Sequence, residues 1–519
     1  MHLSVLDSVI ILIYAIGIFT LAQWVSREKD HHPKNAQDYF LASRSLPWWA
    51  IGTSLIASNI SAEQIIGMTG SGYVIGLGIS SYEWMSALTL IIVGKYFLPI
   101  FLKNGIYTMP EFLEKRYHHS VRTVMALFWL GVYIFVNLTS VLWLGATAIH
   151  TVTDMDTTTA MILLGVFAGA YTLYGGLKAV ALTDVVQVSL LVLGGLMVSY
   201  IALGRIGNGD ILAGFTHLTS SFPEKFHMIL SKDNPHYQDL PGLSVLLGGL
   251  WVMNVSYWGF NQYIIQRALA AKNTHEAQKG IVLAAFLKLL MPIIIVLPGI
   301  AAVELAPNLS RPDEAYPHVM ALLPTGILGL VFAALIAAIV TSLGSQSNSV
   351  ATIFTMDLYR KLRPATDQHR LVVIGRTAGV IALIIAVLVA RPLLGNFDQA
   401  FQYIQEFTGF FTPGICVIFL LGMFWKRTTA AAALTAAIGS AALSWGLRVF
   451  WPSLPFMDRV GLVFVACFAV AIVISWLQKR ETSSSLVELD NIDYQTGRGF
   501  NIASLIVIVI LTMLYITWW

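Results

Sequence analysis

Apolar residues in this chain gather into runs of about twenty, one after another from its start to its end, and nothing that folds in water is written that way. A hydrocarbon layer about 30 Å thick takes roughly 20 apolar residues of helix. Fourteen windows of that kind lie at 5–25, 48–74, 80–102, 121–150, 156–174, 183–204, 241–266, 281–303, 322–356, 371–390, 398–424, 429–450, 456–477 and 500–518. Charge is correspondingly scarce: 11% of the 519 residues are charged and 56% hydrophobic, against about 25% charged in a soluble domain. The 2 cysteines, Cys416 and Cys467, both stand in apolar runs, which excludes a disulfide scaffold. A net charge of +3 gives no reason to expect a nucleic-acid partner. The expected fold class is all-α and polytopic in the membrane. The first window is too long for a signal peptide and lacks a small-residue cleavage site, so it reads as a retained span.

Lys and Arg accumulate on the cytoplasmic side of membrane proteins. With the N-terminus outside, twenty-two of the 31 basic residues fall in inside loops, Arg27, Lys29, Lys34, Lys178, Arg267, Lys479 and Arg480 among them. Seven fall outside: Arg205, Lys225, Lys232, Arg311, Arg391, Arg448 and Arg459. Both termini are therefore expected on the extracytoplasmic face. The longest loop, about 205–240, is too short for a core of its own. Whatever this protein handles, it handles inside the bundle.

Ionisable groups within a span are costly and point to function. Glu63 and Gln64 sit in SNISAEQIIGMTGSG, Glu83 in SSYEWMSA, Asn254 and Tyr257 in GLWVMNVSYWGFNQY, Lys288 in AAFLKLLMP, Thr341 and Ser342 in AALIAAIVTSLGSQSNS, and Gln405 in FQYIQEF. Ser and Thr in membrane helices usually bond the carbonyl four residues back, a lone Asn or Gln can join two helices, and Lys95, near a span end, reads as snorkelling. Glu83 and Lys288 are too deep for that and read as a buried pair. The second and seventh windows carry small and polar residues mid-span (Ser58, Asn59, Ser61 and Gly67; Asn254, Ser256 and Gly259), and Asn-Ile-Ser at 59–61 echoes Asn-Val-Ser at 254–256. Both are expected to unwind there, which membranes tolerate only beside a cavity. Interrupted helices in matching halves point to an inverted-repeat transporter. Carbonyls released around Ala57 and Ile60, facing the hydroxyls of Thr341 and Ser342 and the carbonyl of Ala338, would form a neutral oxygen site. Such donors suit a monovalent cation, whereas a divalent one calls for carboxylates.

The residues resemble the sodium:solute symporter family, and within it the bacterial sodium/galactose (sodium/glucose-type) symporters. The resemblance is carried by DYFLASRSLPWW at 38–49, SNISAEQIIGMTGSGY at 58–73, SYEWMSALTLIIVGKYFLPIF at 81–101, IYTMPEFLEKRY at 106–117, YGGLKAVALTDVVQV at 174–188, GGLWVMNVSYWGFNQYIIQR at 248–267, AQKGIVLAAFLKL at 277–289 and FQYIQEFTG at 401–409. It implies a LeuT-type five-plus-five inverted repeat at 48–204 and 241–424, with a leading helix at 5–25 and three trailing helices at 429–518, in the bacterial inner (plasma) membrane. It further implies that sugar hydroxyls bond Gln64, Glu83, Ser86, Asn254, Lys288 and Gln405. Tyr257 would stack on the pyranose, with Asn59 holding it, and Met68, Tyr82 and Phe401 would close the outer side. Sodium would lie among Ala57, Ile60, Ala338, Thr341 and Ser342, where relatives often have two serines, and Asp184 would assist its release inward.

The chemistry of that set suits a neutral sugar. Glu83 accepts, Lys288 donates, and the amides do both, as sugar hydroxyls do; the paired charges leave the pocket near neutral, whereas an anionic substrate would favour an unpaired cation. A polyol such as inositol fits the same logic. An enzyme is not expected: no HExxH or G-x-S-x-G occurs, and none of the 12 His forms a mid-span pair. A solute sensor on the same bundle would append a signalling domain, and a channel would spread its polarity along a path. The expected partners are sodium, a small sugar and the bilayer, with no obligate protein.

Overall fold

A computed structural model describes residues 3–26, 44–395, 400–478 and 486–519, with the backbone alone at 22–23, 25–26, 171–180 and 182. Arg27, Lys29, Lys34, Lys479 and Arg480 of the inside set, residues 38–43 of the DYFLASRSLPWW stretch and the side chains of YGGLKAV lie outside that description. Among the described residues the regular structure is helical, apart from one isolated bridge between Leu46 and Ala271. Among the described residues, nine helices are long and apolar enough to cross a membrane. The pair Ala400–Gly409 and Thr412–Phe424, bent by 47°, makes a tenth. Val5–Leu21 and Thr157–Ala170 are apolar but shorter.

Polar side chains fix where helices begin. Asp156 accepts from the Thr159 amide at 3.0 Å, Asn273 from Glu276 at 2.9 Å and Thr429 from Ala432 at 3.3 Å, each filling one of the orphan donors of a first turn. Burial then orders the bundle. The apolar window of Ile327–Leu362 is 78% buried and that of Arg498–Thr517 only 22%, so the former is an axis of the core and the latter a peripheral, lipid-facing helix. Seven elements build the site: α1 (Trp48–Asn59), α2 (Ser81–Ile92), α3 (Gly249–Phe260), α4 (Gln262–Leu269), α5 (Thr274–Ile294), α6 (Ile327–Thr352) and α7 (Ala400–Gly409). Helices α1 and α5 touch backbone to backbone, because a Cβ on Gly52 would lie 2.7 Å from the Gly280 carbonyl. Two turns further along each helix stand Asn59 and Lys288.

Two expectations need correction. The windows 156–174 and 183–204 were read with a loop between them, but one helical backbone runs from Thr157 to Ile206. The intervening residues include no proline, and Leu, Lys and Ala there favour helix. At about 1.5 Å per residue, its 50 residues hold both apolar segments. The seventh window does not unwind at Asn254–Ser256: α3 is continuous to Phe260 and the break falls at Asn261. Four π-helical stretches, Glu63–Met68, Val93–Phe97, Tyr133–Leu138 and Ile353–Tyr359, were not read from the sequence.

Candidate functional site

The break after α1 begins at Ile60, whose ψ of 87° leaves helical geometry. The Ser61 amide bonds the Asn59 carbonyl at 2.8 Å instead of the Ala57 carbonyl that a continuing helix would offer it. Side chains hold the detour: Ser61 Oγ donates to Gln64 Oε1 at 2.9 Å and accepts from the Glu63 amide at 3.2 Å, the local competition with helix that a Ser side chain provides. The chain resumes as the π-helix Glu63–Met68, and Ser140 Oγ donates to Glu63 Oε1 at 2.5 Å.

Beside this break lies a cavity of about 80 Å³. Ten of the proposed sugar-binding and gate residues line it: Asn59, Gln64, Met68, Tyr82, Glu83, Ser86, Asn254, Tyr257, Phe401 and Gln405. Lys288 does not line it but stands directly behind. Its Nζ lies 2.5 Å from Glu83 Oε2, bonds Asn59 Oδ1 and sits 5.0 Å over the Trp258 ring. Both members of the ion pair are buried, at 0% and 3% exposure, so each depends on the other for its charge. Ser86 Oγ donates to Asn254 Oδ1 at 2.7 Å, while Asn254 Nδ2 is buried without a partner. That amide is a donor without an acceptor, which a folded interior rarely leaves so. Tyr257 shares the cavity lining with the aromatic pair Tyr82 and Phe401, which meet edge to face at 5.2 Å. Its hydroxyl accepts from Asn59 Nδ2 at 3.1 Å and from Tyr263 OH at 2.9 Å.

The proposed cation donors sit where α1 packs on α6. Ala57, Ile60, Ala338, Thr341 and Ser342 are all buried, and 338, 341 and 342 share one helix face by their spacing. Ser342 Oγ has no partner. Thr341 Oγ1 donates to Gln187 Oε1 at 2.5 Å, which leaves its lone pairs available. Asp184 is engaged nearby: Ser54 Oγ donates to its Oδ2, which lies 3.7 Å from Arg267 Nη2.

Sequence reasoning missed several neighbours. Tyr133, Trp258 and Asn261 also line the cavity. Tyr133 OH donates to Asn261 Oδ1 at 2.6 Å and accepts from the Gln262 amide at 2.8 Å, so it fills the second break. Arg267 had been counted as a loop cation and is 1% exposed. Aromatics and one Arg near a span end carry no signal of their own in one sequence.

A cavity lined by polar and aromatic side chains amid membrane-length helices, set against a helix that breaks at mid-course, is the architecture of a secondary solute transporter. The family model of the "Sodium:solute symporter family" matches residues 39–439. The chain is 50% identical to the "Sodium/glucose cotransporter" of Vibrio parahaemolyticus, covering 100% of this chain and 99% of that protein. It is 33% identical to the human "Sodium/myo-inositol cotransporter 2", over 81% of this chain and 66% of that one. Its fold is similar to that of a Na+-coupled sialic acid symporter solved in a substrate-bound outward-open state, with a TM-score of 0.80 at 21% identity, covering 92% of this chain and 99% of that one. The chain belongs to the sodium:solute symporter family, whose members here are cotransporters and not enzymes.

Proposed function

We propose that this protein couples inward sodium movement to uptake of a neutral monosaccharide of the galactose or glucose type. The observation that carries the reading is the unpartnered Asn254 amide in a cavity where Glu83, the one charged residue among its described lining, is neutralised by Lys288 behind it. Gln64, Glu83, Ser86, Asn254 and Gln405 would bond the sugar hydroxyls, and Lys288 would do so through or alongside Glu83. Tyr257 would cover its apolar face, held by Asn59, with Met68, Tyr82 and Phe401 closing the outer side. The identity to a sodium/glucose cotransporter supports the substrate class. The likeness to a sodium/myo-inositol cotransporter makes a neutral polyol the second reading.

Sodium enters from outside and binds the Ala57, Ile60 and Ala338 carbonyls with the Thr341 and Ser342 hydroxyls, pinning α1 to α6. Binding favours the conformation in which the sugar pocket is assembled; equal affinity for both conformations would move nothing. Sugar completes the hydrogen bonds, the outer aromatics close, and the repeats at 48–204 and 241–424 rock against each other. Asp184 assists release of the ion inward. One sodium crossing about 100 mV supplies roughly 2.3 kcal/mol, about fiftyfold accumulation, so one site suffices. In this reading the leading helix at 5–25 and the three at 429–518 flank the repeats, and both termini lie outside the plasma (inner) membrane. Proteoliposomes screened with labelled galactose, glucose and inositol test it. Uptake driven by sodium and not potassium is expected, and sugar binding without uptake would favour a sensor.

A further inference from the structure

Arg267, at the end of α4, spends its whole guanidinium on three elements. Nε donates to Ser54 Oγ at 2.7 Å, Nη2 to Ser345 Oγ at 2.7 Å, and Nη1 to the Tyr263 carbonyl. Asp184 Oδ2, 3.7 Å from Nη2, balances the charge. The first two anchors are placed tellingly. Ser54 precedes Ala57 by one turn on α1, and Ser345 follows Thr341 and Ser342 by one turn on α6. Ser345 Oγ also donates to the Thr341 carbonyl at 2.7 Å. The fork therefore bridges the two helices that the ion would draw together, one turn from the ion itself.

The third anchor leads the other way. Tyr263 OH donates to Tyr257 OH at 2.9 Å, Tyr257 OH accepts from Asn59 Nδ2 at 3.1 Å, and Asn59 Oδ1 accepts from Lys288, the partner of Glu83. A run of hydrogen bonds, carried from backbone to phenol by the Tyr263 side chain, joins the α1–α6 seam to the sugar pocket, and Arg267 is its junction. A planar guanidinium suits that task, since its donors point in fixed directions and register a change in the spacing of their acceptors. Charge balance alone would need only Asp184.

We propose that Arg267 is the positioning residue that transmits ion occupancy to the Tyr257 gate, an inference that rests on the sodium–sugar reading above. The measurable quantity is the ratio of galactose Kd in potassium to that in sodium, for the full chain in detergent or proteoliposomes. Coupled sites of this kind show ratios of about 5 to 150. Arg267→Lys keeps the charge facing Asp184 but cannot reach Ser54, Ser345 and the Tyr263 carbonyl together. Its ratio is expected to fall at least fivefold towards one, while galactose still binds and sodium alone still raises thermal stability. Tyr263→Phe removes a single hydroxyl, keeps the fold and lowers the ratio in the same direction. In the double variant the two losses are less than additive, because both cut the same run. Wild-type ratios in both single variants would overturn the proposal, and Tyr263→Phe decides alone if Arg267→Lys does not fold. A wild-type ratio of one would remove the symport reading and this role with it.

Discussion

The two breaks that flank the cavity differ in what they do with the backbone they release. After α1, the Ser61 amide turns back to Asn59 and the Ala57 carbonyl loses its helical donor, and on α6, which packs against α1, the Ser342 hydroxyl is unpartnered. After α3, the break at Asn261 is filled by protein: Tyr133 OH takes the Gln262 amide, and Gln262 Oε1 accepts from the Met109 amide at 2.9 Å. The first break leaves a carbonyl without its helical donor, the group that the proposed ion would take, whereas at the second the Gln262 amide is answered by Tyr133. An interrupted membrane helix is thus not by itself a binding site. The partner of its freed groups decides.

The largest expected effect tests the first break. Changing Thr341 and Ser342 together to Ala removes both hydroxyls and leaves the carbonyls, so sodium-driven sugar uptake should fall to the sodium-free background; uptake that kept its sodium dependence would move the ion elsewhere. Next comes the pair beside that break. Lys288→Ala leaves Glu83 buried and alone, a change that costs about 3–5 kcal/mol, and equilibrium binding should lose galactose by more than about a hundredfold. The second break predicts a different signature. Tyr133→Phe keeps the ring but strips the Gln262 amide of its acceptor, at about 1–3 kcal/mol. The melting temperature should drop by the same amount in sodium and in potassium; a drop confined to sodium would make the second break an ion site as well.

The contrast also explains what the sequence could and could not say. Ser61 and Gln64 act locally, each side chain within a few residues of the backbone it diverts, so the break after α1 was legible. Asn254-Val-Ser256 looks similar, yet Asn254 is held by Ser86 across the cavity and the helix continues. The break falls at Asn261 because Tyr133, far away in sequence, is there to satisfy it. Glu83 and Lys288 were legible as a pair since neither reaches water from its depth. Arg267 was not. A basic residue near a span end carries the same signal whether it faces the cytoplasm or, as here, Ser54 and Ser345. The continuous helix Thr157–Ile206 was missed for a related reason: Gly175 and Gly176 with Lys178 suggest a loop, and the helical backbone carries through them.

The smallest expected effect separates two jobs of one side chain. Tyr257 offers a ring to the cavity and a hydroxyl to the network of Asn59 and Tyr263. Tyr257→Phe keeps the ring and gives up hydrogen bonds worth about 1 kcal/mol each, so galactose affinity in saturating sodium should weaken only a fewfold. Tyr257→Ala loses the ring too, with roughly the area of a buried aromatic, and should weaken it at least tenfold further. The ordering matters more than either value. If Phe proved as damaging as Ala, the hydroxyl and not the ring would hold the sugar, and Tyr257 would belong with Asn254 and Gln64 among the polar contacts rather than with Tyr82 and Phe401 as a gate.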